Sequence, residues 1–273
     1  MGIRPYSPAD EWALLELWNR SAEFDPLTQD TLREKLADPD PTFALFCDDG
    51  FCLGVQRPKM AYVKLLAVAP EARGYGLGTQ LLEAMEARLK GPVRICESNP
   101  NYLVPGLDVR YTPALLFFEK HGYRKIGETF NLHCDLRGRD FTGSPTGIRR
   151  ATAKDAPAVE VFLTEHFPGW RYEVAQTFLN DPISLHLAVD GRQILGFSAY
   201  DSNNRGTGWF GPMGTAPEAR GRGLGARLLH LCLYDLQQQG RQACTIPWVG
   251  PYGFYSRHCG ACIDRVFWRY EKS

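Results

Sequence analysis

The most constraining feature of this sequence is a ten-residue phrase that occurs twice. APEARGYGLG occupies positions 69–78, and APEARGRGLG occupies positions 216–225. When the copies are aligned, residues 69–82 match residues 216–229 at every position except 75, 79 and 80. A repeat spaced by 147 residues is too long for a solenoid of short units, so it predicts that the chain folds as two related halves.

Each half also repeats the order of its predicted elements. A Ser or Thr precedes an Asp by three residues, at positions 7 and 10 and at positions 152 and 155, which is typical of a helix start. Two β-rich runs then flank an Asp-Gly pair, at positions 49–50 and 190–191, and this pattern predicts a β-hairpin. A further strand leads into the repeated phrase, and short strands and a helix follow it.

The residues after the glycines predict an amphipathic helix that begins within the phrase. Apolar side chains recur at i, i+1, i+4 and i+8, which places them on one helical face that packs in the core. They are Leu81, Leu82, Met85 and Leu89 in the first half, and Leu228, Leu229, Cys232 and Leu236 in the second.

A linker is predicted between the halves. The stretch RGRDFTGSPTG at positions 137–147 has the Gly, Ser, Thr and Pro content of a connecting segment. We therefore predict two domains, residues 1–140 and residues 146–273.

Charge and hydropathy exclude some classes of partner. Lys plus Arg and Asp plus Glu number 31 each, so the net charge is zero, and neither nucleic acid nor a membrane surface is expected as a partner. The sequence has no apolar run long enough for a transmembrane helix, and its first residues lack the apolar core of a signal peptide. The chain is therefore expected to be cytoplasmic.

The cysteines give no metal-site pattern. Of the eight, only Cys259 and Cys262 form a C-x-x-C pair, and the six histidines do not supply the missing ligands at zinc spacing. We expect no metal and reduced cysteines.

Three kinds of phosphate-binding loop compete for the repeated phrase. A Walker loop needs Gly-Lys-Ser/Thr, and neither copy has that lysine. The dinucleotide fingerprint is matched by Gly221, Gly223 and Ala226 but is broken in the first copy by Thr79, and no acidic residue lies about twenty residues on. The third pattern, Arg-x-x-Gly-x-Gly, fits both copies, and it places glycines and unpaired helix N-terminal amides where a pyrophosphate would bind.

Taken together, these motifs resemble the GCN5-related N-acetyltransferase (GNAT) superfamily. The sequence V-x-P-E-x-R-G-x-G-x-G between a strand and an amphipathic helix resembles its acetyl-CoA-binding motif, and FFEKHGY and FYSRHCGA resemble its later F-Y-E-K-x-G-F motif. The element order agrees along nearly the whole chain, once per half. The resemblance implies an α/β fold, with two tandem GNAT-like domains that are each a mostly antiparallel mixed sheet flanked by helices.

The resemblance also implies acetyl-CoA as the co-substrate, without a metal. The glycine loop would hold the pyrophosphate, and pantetheine would pair with the edge of the fourth strand. The cofactor-binding residues it implies are Leu66, Val68, Arg73, Gly74, Gly76, Gly78 and Thr79 in the first half, and Met213, Thr215, Arg220, Gly221, Gly223, Gly225 and Ala226 in the second.

The halves differ where the family often places a tyrosine near the thioester sulfur. The second half has Phe254-Tyr255, whereas the first has Phe117-Phe118. Tyr255 is therefore the expected proton donor to the departing thiolate, and the chemistry is expected mainly in the C-terminal half. The general base stays open among Glu97 in the first half and Glu173 and Asp201 in the second.

The acceptor is the least determined part of the prediction. IPWVGPYGFYSRHCGA resembles some tandem bacterial acetyltransferases that act on amino sugars, and Trp248 would then stack on a sugar ring. In the first half, an irregular stretch with Tyr102, Asp108, Arg110 and Tyr111 occupies the place of the acceptor loop. We expect an N-acetyltransferase of a small-molecule amine, an amino sugar being one class, in a monomer or homodimer. A protein or peptide N-acetyltransferase and a non-catalytic acetyl-CoA-binding module are the alternatives.

Overall fold

The computed structural model describes residues 2–142 and 146–273, so part of the predicted linker, residues 143–145, lies outside the described residues. Within the described ranges, no helix is both long and apolar enough to cross a membrane.

The chain alternates strands and helices in the order that the sequence predicts. The strands are β1 Arg4–Pro5, β2 Thr42–Cys47, β3 Gly50–Gln56, β4 Ala61–Val68, β5 Val93–Ile95, β6 Leu107–Asp108, β7 Arg124–Asp135, β8 Ile148–Arg150, β9 Leu185–Asp190, β10 Gln193–Tyr200, β11 Phe210–Thr215, β12 Ala243–Ile246 and β13 Cys262–Lys272. The helices are α1 Glu11–Ser21, α2 Gln29–Leu36, α3 Leu77–Glu86, α4 Thr112–Lys120, α5 Ala156–His166, α6 Arg171–Thr177, α7 Leu224–Gln238 and α8 Tyr252–Cys259.

Two units divide the chain in space. The first comprises Met1–Thr129 together with Val266–Ser273, and the second comprises Phe130–Arg265. The domain boundaries 1–140 and 146–273 follow the repeat in the sequence, and they stay a prediction. In space, however, most of the last strand belongs to the first unit.

The first unit is built on one mixed sheet. Its strands lie in the order β1-β2-β3-β4-β5-β13, and β6 pairs with β13 as well. All of the pairings given for these strands are antiparallel except β4 with β5, which is parallel. The last strand is in register with β5 through Glu271 opposite Arg94 and Lys272 opposite Val93.

The parallel pairing of β4 with β5 is short, and this creates a gap in the first unit. It comprises residues 61–63 of β4 and 93–95 of β5. Beyond this point β4 continues to Val68, whereas β5 ends at Ile95. One edge of residues 64–68 therefore faces away from β5.

The second unit contains a four-stranded antiparallel sheet in the order β11-β10-β9-β8. β12 pairs with residues 132–135 of β7, and one parallel bridge joins Trp209 to Thr245. Most residues of β11 are only partly buried, so this strand also borders accessible space.

The local sequence rules are confirmed in both halves. Ser7 with Asp10 and Thr152 with Asp155 form capping boxes ahead of α1 and α5. Hairpins form around both Asp-Gly pairs. The predicted apolar stripes on α3 and α7 are buried, because each packs against its own unit's sheet.

Candidate functional site

The two copies of the glycine phrase adopt the same loop. Each leaves a strand, passes through a short 3-10 turn, and enters a helix at Leu77 or Leu224. Gly74 and Gly76 have φ of 86° and 87°, and the matching Gly221 and Gly223 have φ of 78° and 72°. Side chains other than glycine rarely adopt this left-handed conformation, so the repeated glycines are required by the loop itself.

The third glycine of each copy lies within the first turn of the helix. A Cβ on Gly78 would lie 3.4 Å from Phe117, and one on Gly225 would lie 3.5 Å from both Met213 and Phe254. The glycine therefore lies beside the strand and the aromatic helix that the sequence placed at the cofactor site.

The arginine of each phrase hydrogen-bonds to backbone carbonyls next to its own loop. Arg73 donates from Nε to the carbonyl of Val68 and from Nη2 to the carbonyl of Ser21, both at 3.0 Å. Arg220 Nε donates to the carbonyl of Thr215 at 3.4 Å. These bonds hold the loop against the end of its strand, and a contact of either arginine with a phosphate stays a prediction.

A cavity of about 490 Å³ lies in the first unit beside its glycine loop. It follows the open part of β4 and continues past Cys96 at the end of β5 to Phe117 and Phe118 on α4. All of the cofactor residues predicted for the first half line it: Leu66, Val68, Arg73, Gly74, Gly76, Gly78 and Thr79. Because cavities of 300–1,000 Å³ are typical of small-molecule sites, this one has the size of such a site.

Thr79 also ties the glycine helix to α4. Its hydroxyl lies 3.0 Å from Nε2 of His121, and Nδ1 of His121 lies 2.7 Å from the carbonyl oxygen of Phe117. If Nδ1 carries the proton, the ring accepts from Thr79 and donates to Phe117. This pair fixes the wall of the cavity, and Ala226 stands at the matching place in the second half.

The residues predicted at the second loop are brought together around β11 and α7. Met213 and Thr215 lie on β11 and are partly buried, and Arg220, Gly221 and Gly223 are exposed on the loop. Trp248 follows β12 with φ of 48°, and its amide donates to Oδ1 of Asn131 at 3.1 Å. Its stacking on a sugar stays a prediction.

Tyr255 is packed among aromatic rings. It is 8% exposed, and its ring centroid lies 5.1 Å from that of Phe254 and 6.0 Å from that of Phe210. Burial raises the pKa of Tyr255 well above its usual range, so the phenol holds its proton firmly. In the first unit, Phe118 takes the matching position and lines the cavity.

The carboxylates that the sequence left open as bases are buried and partnered. Glu97 accepts from Arg94 Nη1 at 3.0 Å and from Arg269 Nε and Nη2 at 2.6 and 2.8 Å. Asp201 accepts from the amide of Gly208 at 3.1 Å, and burial raises the pKa of Asp201. Glu173 is buried on α6. For Glu97, the two guanidinium groups favour a structural role over proton transfer.

Polar side chains also line the cavity of the first unit. Asp25, Asp108 and Tyr111 all contribute to its lining. Sequence reasoning placed Asp108 and Tyr111 in the acceptor loop but missed Asp25. An Asp before a Pro in a short connection resembles an ordinary turn residue, so only its contacts distinguish it.

Lys64 on β4 also contributes to the cavity and is fully buried. Its Nζ donates to Asp38 Oδ2 at 2.9 Å and to the carbonyl of Lys35 at 2.7 Å. Burial lowers the pKa of Lys64 to about 8, against the opposing effect of Asp38. The carboxylate of Asp38 therefore compensates the charge of the Lys64 ammonium in the wall of the cavity.

Metal-ligating side chains are not grouped in residues 2–142 and 146–273. No set of three or more His, Cys, Asp or Glu there is arranged to hold an ion. The two cysteines of the C-x-x-C pair differ in solvent exposure, since Cys259 is buried and Cys262 is exposed.

Comparison with known families matches both halves. Residues 42–125 match the model of the "Acetyltransferase (GNAT) domain", and residues 152–260 match that of the "Acetyltransferase (GNAT) family". A search of curated proteins gave no match.

Solved structures share the two-unit fold. A region of a fungal multi-domain β-N-acetylglucosaminidase, described as a GCN5-related glucosamine N-acetyltransferase, aligns with 99% of this chain at 20% identity and a TM-score of 0.82, and the alignment spans 38% of the fungal chain. A GCN5-related N-acetyltransferase from Sphaerobacter thermophilus aligns over 99% of this chain and 95% of its own, at 19% identity and a TM-score of 0.71. A tandem GNAT protein from the clavulanic acid biosynthesis pathway aligns over 99% and 98%, at 16% identity and a TM-score of 0.71. At these identities, the alignments establish the fold.

Proposed function

Because this chain consists of two GNAT acetyltransferase domains in tandem and is an acyltransferase, we propose that it transfers the acetyl group of acetyl-CoA to the amine of a small molecule. We further propose that the cavity of the first unit holds the reacting groups. The glycine loop and the open edge of β4 would hold the cofactor there, and the polar side chains of the lining would hold the acceptor.

One observation carries this proposal, namely that a single cavity is lined both by a glycine loop and by polar side chains. Its lining includes Gly74, Gly76 and Gly78 of the loop together with the polar side chains of Asp25, Asp108 and Tyr111. A volume of about 490 Å³ suits a small acceptor beside a thioester, whereas a folded protein surface would need an open groove.

Amino sugars are one acceptor class within this proposal. The structural neighbour described as a glucosamine N-acetyltransferase region supports including glucosamine among the acceptors to be tested. Trp248 lies in the second unit, so its stacking on a sugar ring is the acceptor contact proposed for chemistry in that unit.

Release of free thiol from acetyl-CoA in the presence of an amine panel tests the activity. The panel contains glucosamine, ethanolamine, putrescine and a short peptide with a free N-terminus. We expect turnover with at least one of the small amines and none with the peptide. Turnover with the peptide alone would favour peptide N-acetylation, and calorimetric binding of acetyl-CoA without turnover of any amine would favour the non-catalytic module.

Tyr255 distinguishes the first unit from the second as the place of chemistry. If Tyr255 protonates the thiolate, Tyr255→Phe lowers kcat by about 10²–10⁴-fold and leaves acetyl-CoA affinity nearly unchanged. With chemistry in the first unit, we expect kcat of Tyr255→Phe to stay within about threefold of wild type, about 0.7 kcal/mol, because Tyr255 is not among the residues that line that cavity. Steady-state kinetics of the folded variant decides between these outcomes, and a large loss of kcat would return the chemistry to the C-terminal half.

A further inference from the structure

Three buried thiols of the second unit lie close together beside α8. Cys134 is on β7, Cys244 is on β12 and Cys259 is the last residue of α8, and they are 0%, 1% and 2% exposed. Cys134 and Cys244 are directly opposite each other in the pairing of β7 with β12, so their side chains lie on the same face. All three thiols belong to one hydrophobic cluster, which also contains Tyr255.

Hydrogen bonds join Cys134 to Cys259 within this cluster. Sγ of Cys134 donates to the backbone carbonyl of Cys259 at 3.2 Å. The same thiol also donates to the sulfur of Cys259. Both cysteines are free thiols in the structure. Two thiols that share a hydrogen bond are already adjacent, so a disulfide between them would need little movement of the backbone.

The surroundings of Cys259 favour its thiolate form. The hydrogen bond from Cys134 lowers the pKa of Cys259 against the opposing effect of burial, and the positive charge of Arg139 also lowers it. Nη1 of Arg139 donates to the carbonyl of Cys259 at 2.9 Å, which holds this cation at the end of α8. Because the thiolate is the nucleophilic form of cysteine, Cys259 is the more reactive sulfur of the pair.

The C-x-x-C spacing in the sequence would suggest a different pair, Cys259 with Cys262. The structure places Cys262 on the surface at the start of β13, with its Sγ 3.9 Å from the carbonyl oxygen of His133. Between the two cysteines, Gly260 ends α8 with φ of 61°, and the chain changes direction there. Burial and direct contact therefore favour Cys134 over Cys262 as the partner of Cys259.

We propose that Cys259 and Cys134 are a thiol pair that hydrogen peroxide oxidises to a disulfide within the second unit. This inference goes beyond the proposed function and does not depend on it. The disulfide would fasten the end of α8 to β7. Tyr255 lies one turn before Cys259 on this helix, and its carbonyl accepts from Cys259 Sγ at 3.1 Å. Oxidation would therefore act on the helix that carries Tyr255.

The proposed oxidation proceeds in two balanced steps. Peroxide reaches Cys259 when the last turn of α8 opens, since helix ends open locally at low cost. The thiolate sulfur attacks one oxygen of the peroxide, the oxygen–oxygen bond breaks, and the departing hydroxide takes up the proton that the thiol had lost. The sulfur of Cys134 then attacks the resulting sulfenic acid, the sulfur–oxygen bond breaks, and the second water leaves with the Cys134 proton. Two thiols thus lose two hydrogen atoms, and one peroxide becomes two waters.

Mass spectrometry of tryptic peptides from the folded, full-length protein tests the proposal. The protein is treated with hydrogen peroxide at neutral pH, and the remaining free thiols are alkylated before digestion. We expect peptide 126–137, which contains Cys134, to be linked to peptide 258–265, which contains Cys259, and dithiothreitol should separate them. A disulfide between Cys259 and Cys262, a link from Cys134 to peptide 242–257 with Cys244, or no disulfide at all would overturn the proposal.

Cys262→Ser is the matched control, because peptide 258–265 contains both cysteines of the C-x-x-C pair. Its side chain is exposed, so the variant should fold and should form the same link as wild type. Cys259→Ser should abolish the link. If the link persists in Cys259→Ser and is lost in Cys262→Ser, the bond belongs to Cys262 and the proposal is wrong. The peptide maps of wild type and Cys262→Ser decide the question even if Cys259→Ser fails to fold.

The order of the two sulfurs has a separate test. Cys134→Ser, made together with Cys262→Ser, leaves Cys259 without a thiol to resolve its sulfenic acid. We expect dimedone, which traps sulfenic acids, to label Cys259 in this folded variant after peroxide treatment. Label on Cys134 in Cys259→Ser, with none on Cys259 in the double variant, would overturn the assignment of Cys259 as the attacking thiol.

Discussion

A chain shortened to end at Arg265 is expected to lose the fold of its first unit. The removed segment contains Phe267 and Tyr270, both fully buried in that unit. It also contains Arg269, which together with Arg94 forms ion pairs with the buried Glu97. Loss of one large buried aromatic costs about 3–5 kcal/mol, and removal of one partner of a buried ion pair costs about 3–5 kcal/mol. Together these losses rival the typical stability of a whole domain, about 5–15 kcal/mol.

Thermal unfolding followed by circular dichroism, together with calorimetry of acetyl-CoA binding, measures this loss. Point variants on the same strand test the same contacts with a smaller expected loss of stability. Phe267→Ala should destabilise the first unit by about 3–5 kcal/mol, whereas Ile263→Ala, whose side chain is half exposed, should cost under about 1 kcal/mol. A shortened chain that still unfolds cooperatively and binds acetyl-CoA at the first loop would show that the last strand is dispensable.

Gly76→Val is expected to abolish acetyl-CoA binding in the first unit and turnover with it. The residue has φ of 87°, which a β-branched side chain tolerates poorly, and the loop would have to change its path. The new side chain would also stand on the loop that faces the cavity. We expect affinity to fall at least ~100-fold, about 2.8 kcal/mol, by calorimetry.

Two control variants make the glycine result specific. Gly91→Val places the same side chain at φ of 78° in an open turn that does not line the cavity. It therefore imposes a similar backbone strain without placing a side chain beside the cofactor site. It should bind acetyl-CoA like wild type. Gly223→Val makes the same change in the second loop and should spare turnover. Loss of turnover in Gly223→Val, with Gly76→Val active, would instead support chemistry in the second half.

The local parts of this fold could be predicted from the sequence because local rules determine them. An Asp-Gly pair between β-rich runs favours one kind of turn, and a Ser or Thr three residues before an Asp caps a helix wherever the helix packs. The glycine loops could be predicted for the same reason. Few residues other than glycine adopt the positive φ found at Gly76 and Gly223. The cofactor-binding residues predicted for the first half all line one cavity, and their contact with the cofactor stays a prediction.

The pairing of the final strands could not be predicted in this way. VFWRYEK alternates like any half-buried strand, and nothing in its seven letters specifies β5, about 170 residues earlier, as its neighbour. The place of Asp25 in the cavity could not be predicted from the sequence for a related reason. Its place in the cavity depends on Tyr111, which is 86 residues away in the sequence, and only the folded chain brings the two together.

On the ribosome, the first unit cannot complete its sheet when its own half of the sequence has been made. Residues 266–273 are translated only after residues 130–265, a delay on the order of ten seconds at roughly 5–20 residues per second. During that time β5 presents an unpaired edge, the kind of surface on which nascent chains aggregate. A gene divided at the linker would leave the first half without its last strand permanently.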